Sequence, residues 1–194
     1  MIKNRQRFFT VKLFRFLLVL PVSALILFSC MPAQKPAAIA AVTPTTTPDW
    51  FDIKLTDAQT GKTFTMNDYA GKVVLVETMA VWCPTCILQA SYIYKLRDQL
   101  GRPNDLISVS LDVDSNEDAG VLKEYIAQYG FDWSFVVAPL LVERALGNLY
   151  SAEYLNPPLA PMLIIDRQGS VHTLPYGLKD NEMLRKAVEP YLAQ

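Results

Sequence analysis

A chain of 194 residues, 51% hydrophobic and with a formal net charge of −1, is long enough for one ordinary domain with appendages. That hydrophobicity excludes a disordered chain, and three cysteines are too few for a disulfide-stapled miniprotein. The near-zero charge combines unlike parts: residues 1–29 hold five basic residues and no acidic one, while residues 49–194 hold twelve basic and nineteen acidic ones, a net charge of −7. An acidic body argues against binding nucleic acid through its phosphates.

Lys3, Arg5, Arg7, Lys12 and Arg15 precede an apolar run from Phe16 to Phe28, broken only by Pro21 and Ser23. A basic stretch before a short apolar run is the pattern of a secretory signal, and the run falls short of the roughly 18 residues expected of a membrane span. Leu27-Phe28-Ser29-Cys30 resembles a bacterial lipobox, whose cysteine receives lipid, although Phe28 is bulkier than that pattern usually has. The resemblance makes Cys30 a candidate lipidation site; the other readings are an uncleaved N-terminal anchor and simple cleaved secretion. The first two tether the rest of the chain to the outer face of a membrane. Residues 30–48 contain Pro32, Pro36, Pro44 and Pro48 among Ala and Thr, a composition that cannot bury a core and reads as a semi-rigid stalk of up to about 3 Å per residue. The folded domain is expected over residues 49–194.

Phe51 to Leu55 alternates as a half-buried strand does, Gln59 to Lys62 is a turn, and Thr63 to Thr65 returns as the second strand of a hairpin. Val73 to Val76 is a continuous apolar run, the mark of a central strand covered on both faces. Thr85 to Leu100 suits a helix stopped by Gly101-Arg102-Pro103-Asn104, and Leu106 to Leu111 is a further strand. Asn116 to Tyr129 suits a helix ended by Gly130. A short strand at Phe135 to Ala138 and a helix at Leu140 to Tyr150 come next. Met162 to Ile165 and Ser170 to Thr173 form a hairpin about Asp166-Arg167-Gln168-Gly169, and Lys179 to Leu192 is an amphipathic helix. Alternating strands and helices ending in an antiparallel hairpin predict an α/β domain with a central mixed sheet flanked by helices.

Val81-Trp82-Cys83-Pro84-Thr85-Cys86 follows a buried strand and opens a helix. At a helix N-terminus the unpaired N–H groups and the dipole favour a thiolate, which lowers the pKa of the first cysteine and makes it the nucleophile. The second lies one turn on, close enough to bond to it, and Pro84 falls where its missing N–H costs nothing. Such a pair cycles between dithiol and disulfide through a mixed disulfide. Half of a zinc site is a poor alternative, because there is no second cysteine pair and His172 is the one histidine.

Trp82-Cys83-Pro84-Thr85-Cys86 after an apolar strand resembles the thioredoxin superfamily, and within it the membrane-tethered TlpA/ResA-like thiol–disulfide oxidoreductases. The resemblance covers residues 49–194 and implies a thioredoxin-like fold with an N-terminal β-hairpin and a strand–helix insertion. Pro157 to Asp166 looks like the family's loop into a cis-proline and the following strand, which implies a cis bond before Pro161, with Pro158 the lesser candidate. In the family this loop faces the cysteines and pairs with a partner's backbone. Ala160 stands where relatives commonly carry Thr or Val, which implies weaker partner contacts there. Glu77, six residues before Cys83, matches an acid that in thioredoxin-like proteins lies buried beneath the second cysteine. Burial raises a carboxyl pKa, so Glu77 is expected to take the proton of Cys86 when that thiol resolves the mixed disulfide. Trp82 is expected to pack beside the cysteines as part of an apolar docking surface with Pro84, Ala160 and Pro161. Asp112 and Asp114 read as ordinary acids at a strand end and in the following turn, and His172 receives no role.

The expected activity is therefore thiol–disulfide exchange with cysteine pairs of exported proteins, with no cofactor beyond the cysteines. Expected partners are protein thiols or disulfides, an electron donor in or outside the membrane, and the membrane itself; by resemblance, apocytochrome c is one substrate. A copper chaperone of the related Sco type is the second reading, although those proteins space their cysteines three apart and add a distal histidine, for which only His172 is available. A peroxiredoxin is the third, although Met79 to Trp82 offer no activating hydroxyl before Cys83.

Overall fold

The computed structural model describes residues 47–101 and 104–193. The expected leader, Cys30, the stalk up to residue 46, and Arg102 and Pro103 lie outside the described residues. The first regular element is a 3₁₀ turn at Asp49–Asp52. It replaces the start of the strand expected from Phe51. A strand would send neighbouring side chains to opposite faces, whereas Trp50 and Phe51 are both buried with their rings edge-on at 4.7 Å. The turn puts both rings into one core. The hairpin then follows as β1 (Leu55–Thr56) and β2 (Thr63–Phe64), its loop fastened by Asp57 Oδ1, which accepts from both the backbone N–H and the hydroxyl of Thr60 at 2.7 Å.

The main sheet consists of β3 (Val73–Met79), β4 (Leu106–Asp112), β5 (Ser134–Val137), β6 (Met162–Ile165) and β7 (Val171–Thr173), in the order β5-β4-β3-β6-β7. The β3–β4 and β4–β5 pairs are parallel, and the β3–β6 and β6–β7 pairs antiparallel. Every residue of β3 is buried, as a strand covered on both faces requires. Its side chains alternate: Val73, Leu75 and Met79 join the core formed with α1 (Pro84–Gln99), α2 (Ala119–Tyr129) and α4 (Asn181–Leu192), and Val74 and Val76 join the core formed with α3 (Leu140–Leu149). Period two therefore puts Glu77 on the face covered by α1. The stretch between α1 and Pro161 holds β4, α2, β5 and α3, and so contains the expected strand–helix insertion. This is the thioredoxin-like α/β fold that the sequence predicts.

Two helices start later than expected because a carboxylate caps them. Asp118 Oδ1 accepts from Gly120 N and Val121 N, so α2 begins at Ala119 rather than near Asn116, and it ends at Gly130, whose φ of 72° closes the helix. Asp180 Oδ1 accepts from Met183 N, so Lys179 stands just outside α4.

Candidate redox site

Cys83 caps α1: its φ and ψ are −85° and 111°, and its sulfur accepts from Cys86 N at 3.1 Å. Pro84 occupies the first helical position. One turn on, Cys86 is bonded to Cys83, with a Cα–Cα separation of 5.2 Å. The elements meet here because β3 ends at Met79 and the chain needs only four residues to turn into the helix. Both cysteines are buried, 0% and 2% exposed, while Trp82 is 55% exposed and Pro84 is exposed beside them. The tryptophan thus presents a face to solvent directly before the disulfide rather than joining the core.

Glu77 is 3% exposed, on the α1 face of β3. Ser110 donates its hydroxyl to Glu77 Oε1 at 2.5 Å, and Trp133 Nε1 donates in turn to that hydroxyl at 2.8 Å. Burial pushes the carboxyl up to about 7, against the Ser110 hydrogen bond and the charge of Lys179, which both pull it down. A carboxyl poised near neutrality exchanges protons with a thiol at little cost. This burial is not that of a solvated acid at a sheet edge.

The loop at 156–161 differs from expectation. A 3₁₀ turn at Pro157–Leu159 runs beside the disulfide, with the Pro157 carbonyl oxygen 3.5 Å from Cys86 Sγ. No peptide bond among the described residues is cis, so the bond before Pro161 is trans. The chain reverses instead at Ala160, whose φ of 45° and ψ of 56° lie in the left-handed region. The backbone around that residue is already occupied. Ala160 N donates to Pro157 O at 2.8 Å, Ala160 O accepts from Lys179 Nζ at 2.7 Å, Leu159 O accepts from Gly177 N at 2.8 Å, and Pro161 O accepts from Thr78 N at 3.1 Å. The expected pairing of this loop with a partner's backbone is therefore not available in this conformation.

Three acids at the end of β4 and just beyond it do more than the sequence suggested. Asp112 pairs in register with Met79 at the end of β3, so the following loop lies against the redox turn. Glu117 Oε2 accepts from Val81 N at 2.7 Å, and Asp114 Oδ2 accepts from Trp82 Nε1 at 2.6 Å. Two side chains thus hold the two residues that lead into Cys83. Asp114 is held below the ordinary carboxylate range by the Asn116 backbone N–H and then by the Trp82 indole. Asp112 is 1% exposed; burial raises its carboxyl, and the neighbouring Glu117 charge raises it further. The signal in the sequence was the Asp-x-Asp-x-x-Glu spacing at the end of the strand adjoining β3. Glu117, Ser110 and Lys179 were missed altogether, since none of them stands out until the fold brings it to the site, and Pro157 was read only as the start of the proline loop.

His172 lies elsewhere. It pairs with Ile164, which faces Leu75, four residues or about 13 Å back along β3 from Met79. Its Nε2 is 2.7 Å from Asp166 Oδ2, and its ring lies tilted against that of Tyr191, with centroids 4.6 Å apart. The sheet does not bring it together with the cysteines.

Fold and disulfide together define a thioredoxin-like thiol–disulfide oxidoreductase. The chain belongs to the Redoxin family, whose model matches residues 40–188. No curated protein matches it. Among solved structures it is similar to DsbF of Mycobacterium tuberculosis, at 16% identity and a TM-score of 0.60 over 75% of this chain and 99% of that one. It is similar to a secreted M. tuberculosis disulfide oxidoreductase described as homologous to E. coli DsbE, at 16% identity and a TM-score of 0.54 over 72% and 96%. It is also similar to BsSco, a member of the Sco family of cytochrome c oxidase assembly proteins, at 19% identity and a TM-score of 0.56 over 71% and 89%. At these identities the likeness shows the fold. Among the described residues no helix is long and apolar enough to cross a membrane.

Proposed function

We propose that the protein exchanges disulfides with cysteine pairs of exported proteins on the outer side of a bacterial membrane, to which its N-terminus tethers it through a lipid on Cys30 or an uncleaved anchor. The observation that carries the redox chemistry is the Cys83–Cys86 disulfide at the N-terminus of α1, with the buried Glu77 on the face of β3 that α1 covers. The location is supported by the basic and apolar leader, and by the likeness to a secreted oxidoreductase. Apocytochrome c before haem attachment is the substrate class that the TlpA/ResA resemblance favours.

In the reducing direction the Cys83 thiolate attacks a partner disulfide. The Cys83–partner bond forms, and the partner's other sulfur leaves as a thiolate. Cys86 then gives its proton to the Glu77 carboxylate and attacks Cys83 Sγ. The Cys83–Cys86 bond forms, the bond to the partner breaks, and the partner departs as a dithiol once its thiolates take up protons. Two electrons pass from the protein to the partner, and an external dithiol donor restores the Cys83–Cys86 dithiol. The oxidising direction is the reverse, and the reduction potential of the couple sets which one runs, about 30 mV corresponding to 1.4 kcal/mol. Trp82 and Pro84 offer the exposed surface on which a partner rests beside the cysteines.

The test compares reduction of a protein disulfide by the purified protein with that by Cys83→Ser and Cys86→Ser. Loss of turnover in both, with a trapped mixed disulfide in Cys86→Ser, is expected; equal turnover in all three overturns the reading. For the tether, Cys30→Ala is expected to move the protein out of the detergent-extracted envelope fraction if Cys30 carries lipid, and to leave it there if the anchor is the apolar run.

A further inference from the structure

Lys179 is 3% exposed, although lysine is among the residues least often buried. Its backbone is fastened to the active-site helix: Gln89, buried on α1, accepts from Lys179 N at 2.8 Å and donates to its carbonyl at 3.0 Å. Its Nζ donates to the carbonyls of Ala160 at 2.7 Å and Gly177 at 2.6 Å. Two carbonyls solvate an ammonium but do not neutralise it, and a buried charge needs a counter-charge. The strand register supplies one. Ala160 precedes Pro161, whose carbonyl is bonded to Thr78 N, and Met162 is the cross-strand neighbour of Glu77. The ammonium is thereby delivered to the end of β3 that carries the buried carboxyl.

The two groups act on each other in opposite senses. Burial drags Lys179 down to about 8, and the Glu77 charge resists it; burial drives Glu77 up to about 7, and the Lys179 charge resists that. The other groups facing Glu77 are uncharged or acidic in character: the Ser110 hydroxyl from β4 with the Trp133 indole behind it, and the buried Tyr125 from α2, whose hydroxyl has no hydrogen-bond partner. Among the described residues, Lys179 is the one cation whose charge reaches Glu77.

We propose that Lys179 is a positioning residue of the redox centre, the buried counter-ion that keeps Glu77 ionised and ready to take the proton of Cys86. This rests on the reading of Glu77 as the proton relay. Lys179 keeps its own proton throughout; the proton moves from Cys86 Sγ to the Glu77 carboxylate, and the Cys86 thiolate then attacks Cys83. The same ammonium holds the Ala160 carbonyl, so one side chain links the charge state of the relay to the loop beside the disulfide.

The test uses the full chain. The Glu77 carboxyl is titrated by ¹³C NMR in the oxidised protein, and resolution of a Cys83 mixed disulfide is timed across pH 5 to 9. Lys179→Met is expected to move both the Glu77 titration and the rising limb of the rate profile upward by about one pH unit, a roughly tenfold loss of rate at pH 6. Lys179→Gln, which keeps a hydrogen bond to Ala160 without the charge, is expected to give the same shift, and Lys179→Arg to restore the wild-type position. In Glu77→Gln the limb disappears and Lys179→Met adds nothing to it. A Glu77 titration that stays in place in both uncharged variants overturns the counter-ion role. A titration that moves while Glu77→Gln keeps the wild-type rate profile overturns the relay reading, and the proposal with it.

Discussion

Glu77 sets chemistry against stability. Its carboxyl binds a proton more tightly in the fold, at about 7, than in the unfolded chain, whose ordinary value is 4.5. A raised acid pKa contributes stability that is complete below about pH 4.5 and lost as pH rises through about 7. Glu77→Gln keeps the shape and a group that accepts from Ser110. It is expected to be more stable than the wild type at pH 8, by something of the order of 3 kcal/mol, with the gap closing toward pH 4.5. Denaturant midpoints of the oxidised proteins at the two pH values check this; a gap independent of pH contradicts it. The same substitution is expected to slow resolution of the mixed disulfide by about 10²-fold at neutral pH, the usual scale for losing a proton-transfer group.

Trp82 makes a second prediction for single residues. Its indole is 55% exposed and steadied by Asp114, so it offers rigid apolar area next to buried sulfurs. Trp82→Ala is expected to raise KM for a protein disulfide several-fold with kcat nearly unchanged, because truncating an exposed aromatic anchor removes docking energy rather than chemistry. Steady-state kinetics with protein and small-molecule disulfides separate the two, the latter being affected little.

Among the elements, the loop between β4 and α2 acts as a clamp on the turn between β3 and α1. Glu117→Ala removes the acceptor of the half-buried Val81 N–H, and an unpaired buried donor costs about 1–3 kcal/mol. The variant is expected to lower the unfolding midpoint and to speed amide exchange at Val81 and Trp82 ahead of the rest of β3. Hydrogen exchange followed residue by residue reads this directly; uniform acceleration along β3 means that the loop is not a local clamp. Sequence periodicity made most of these elements legible. The unbroken apolar run marked β3, and the Cys-Pro dipeptide marked the first turn of α1. What it could not reveal was anything decided by contacts between distant residues. The stretch from Phe51 alternates like a strand, yet the two rings at 50 and 51 share one core. Asp118 and Asp180 postponed two helices by capping them, and Asp112, Asp114 and Glu117 look like solvated acids until β4 is laid beside β3 in register.

For the whole molecule, the thioredoxin-like fold and the cysteine pair were legible because a Cys-x-x-Cys after a buried strand is a specific signal. The spacing of Glu77 to Cys83 added the acid. Lys179 was not legible: it is brought to the site by the path of the chain between β7 and α4, across 102 residues from Glu77, and no local pattern encodes that. The bond before Pro161 differs from expectation for a related reason, since Ala160 makes the reversal with its own backbone and Lys179 fastens it.

The disulfide that carries the chemistry is also sealed from solvent, with 0% and 2% of its two cysteines exposed and the Pro157–Leu159 turn alongside. A sealed bond is kinetically insulated. A small thiol must wait for the buried site to open, so its rate of reduction should level off at high thiol concentration at the opening rate, whereas a docked protein partner can drive that opening with its own binding energy. The prediction is a hyperbolic dependence of the dithiothreitol reduction rate on concentration. A strictly linear dependence would show an open site. Insulation of this kind lets an oxidised cysteine pair sit among small thiols without taking electrons from them, reserving the exchange for partners that can open the door.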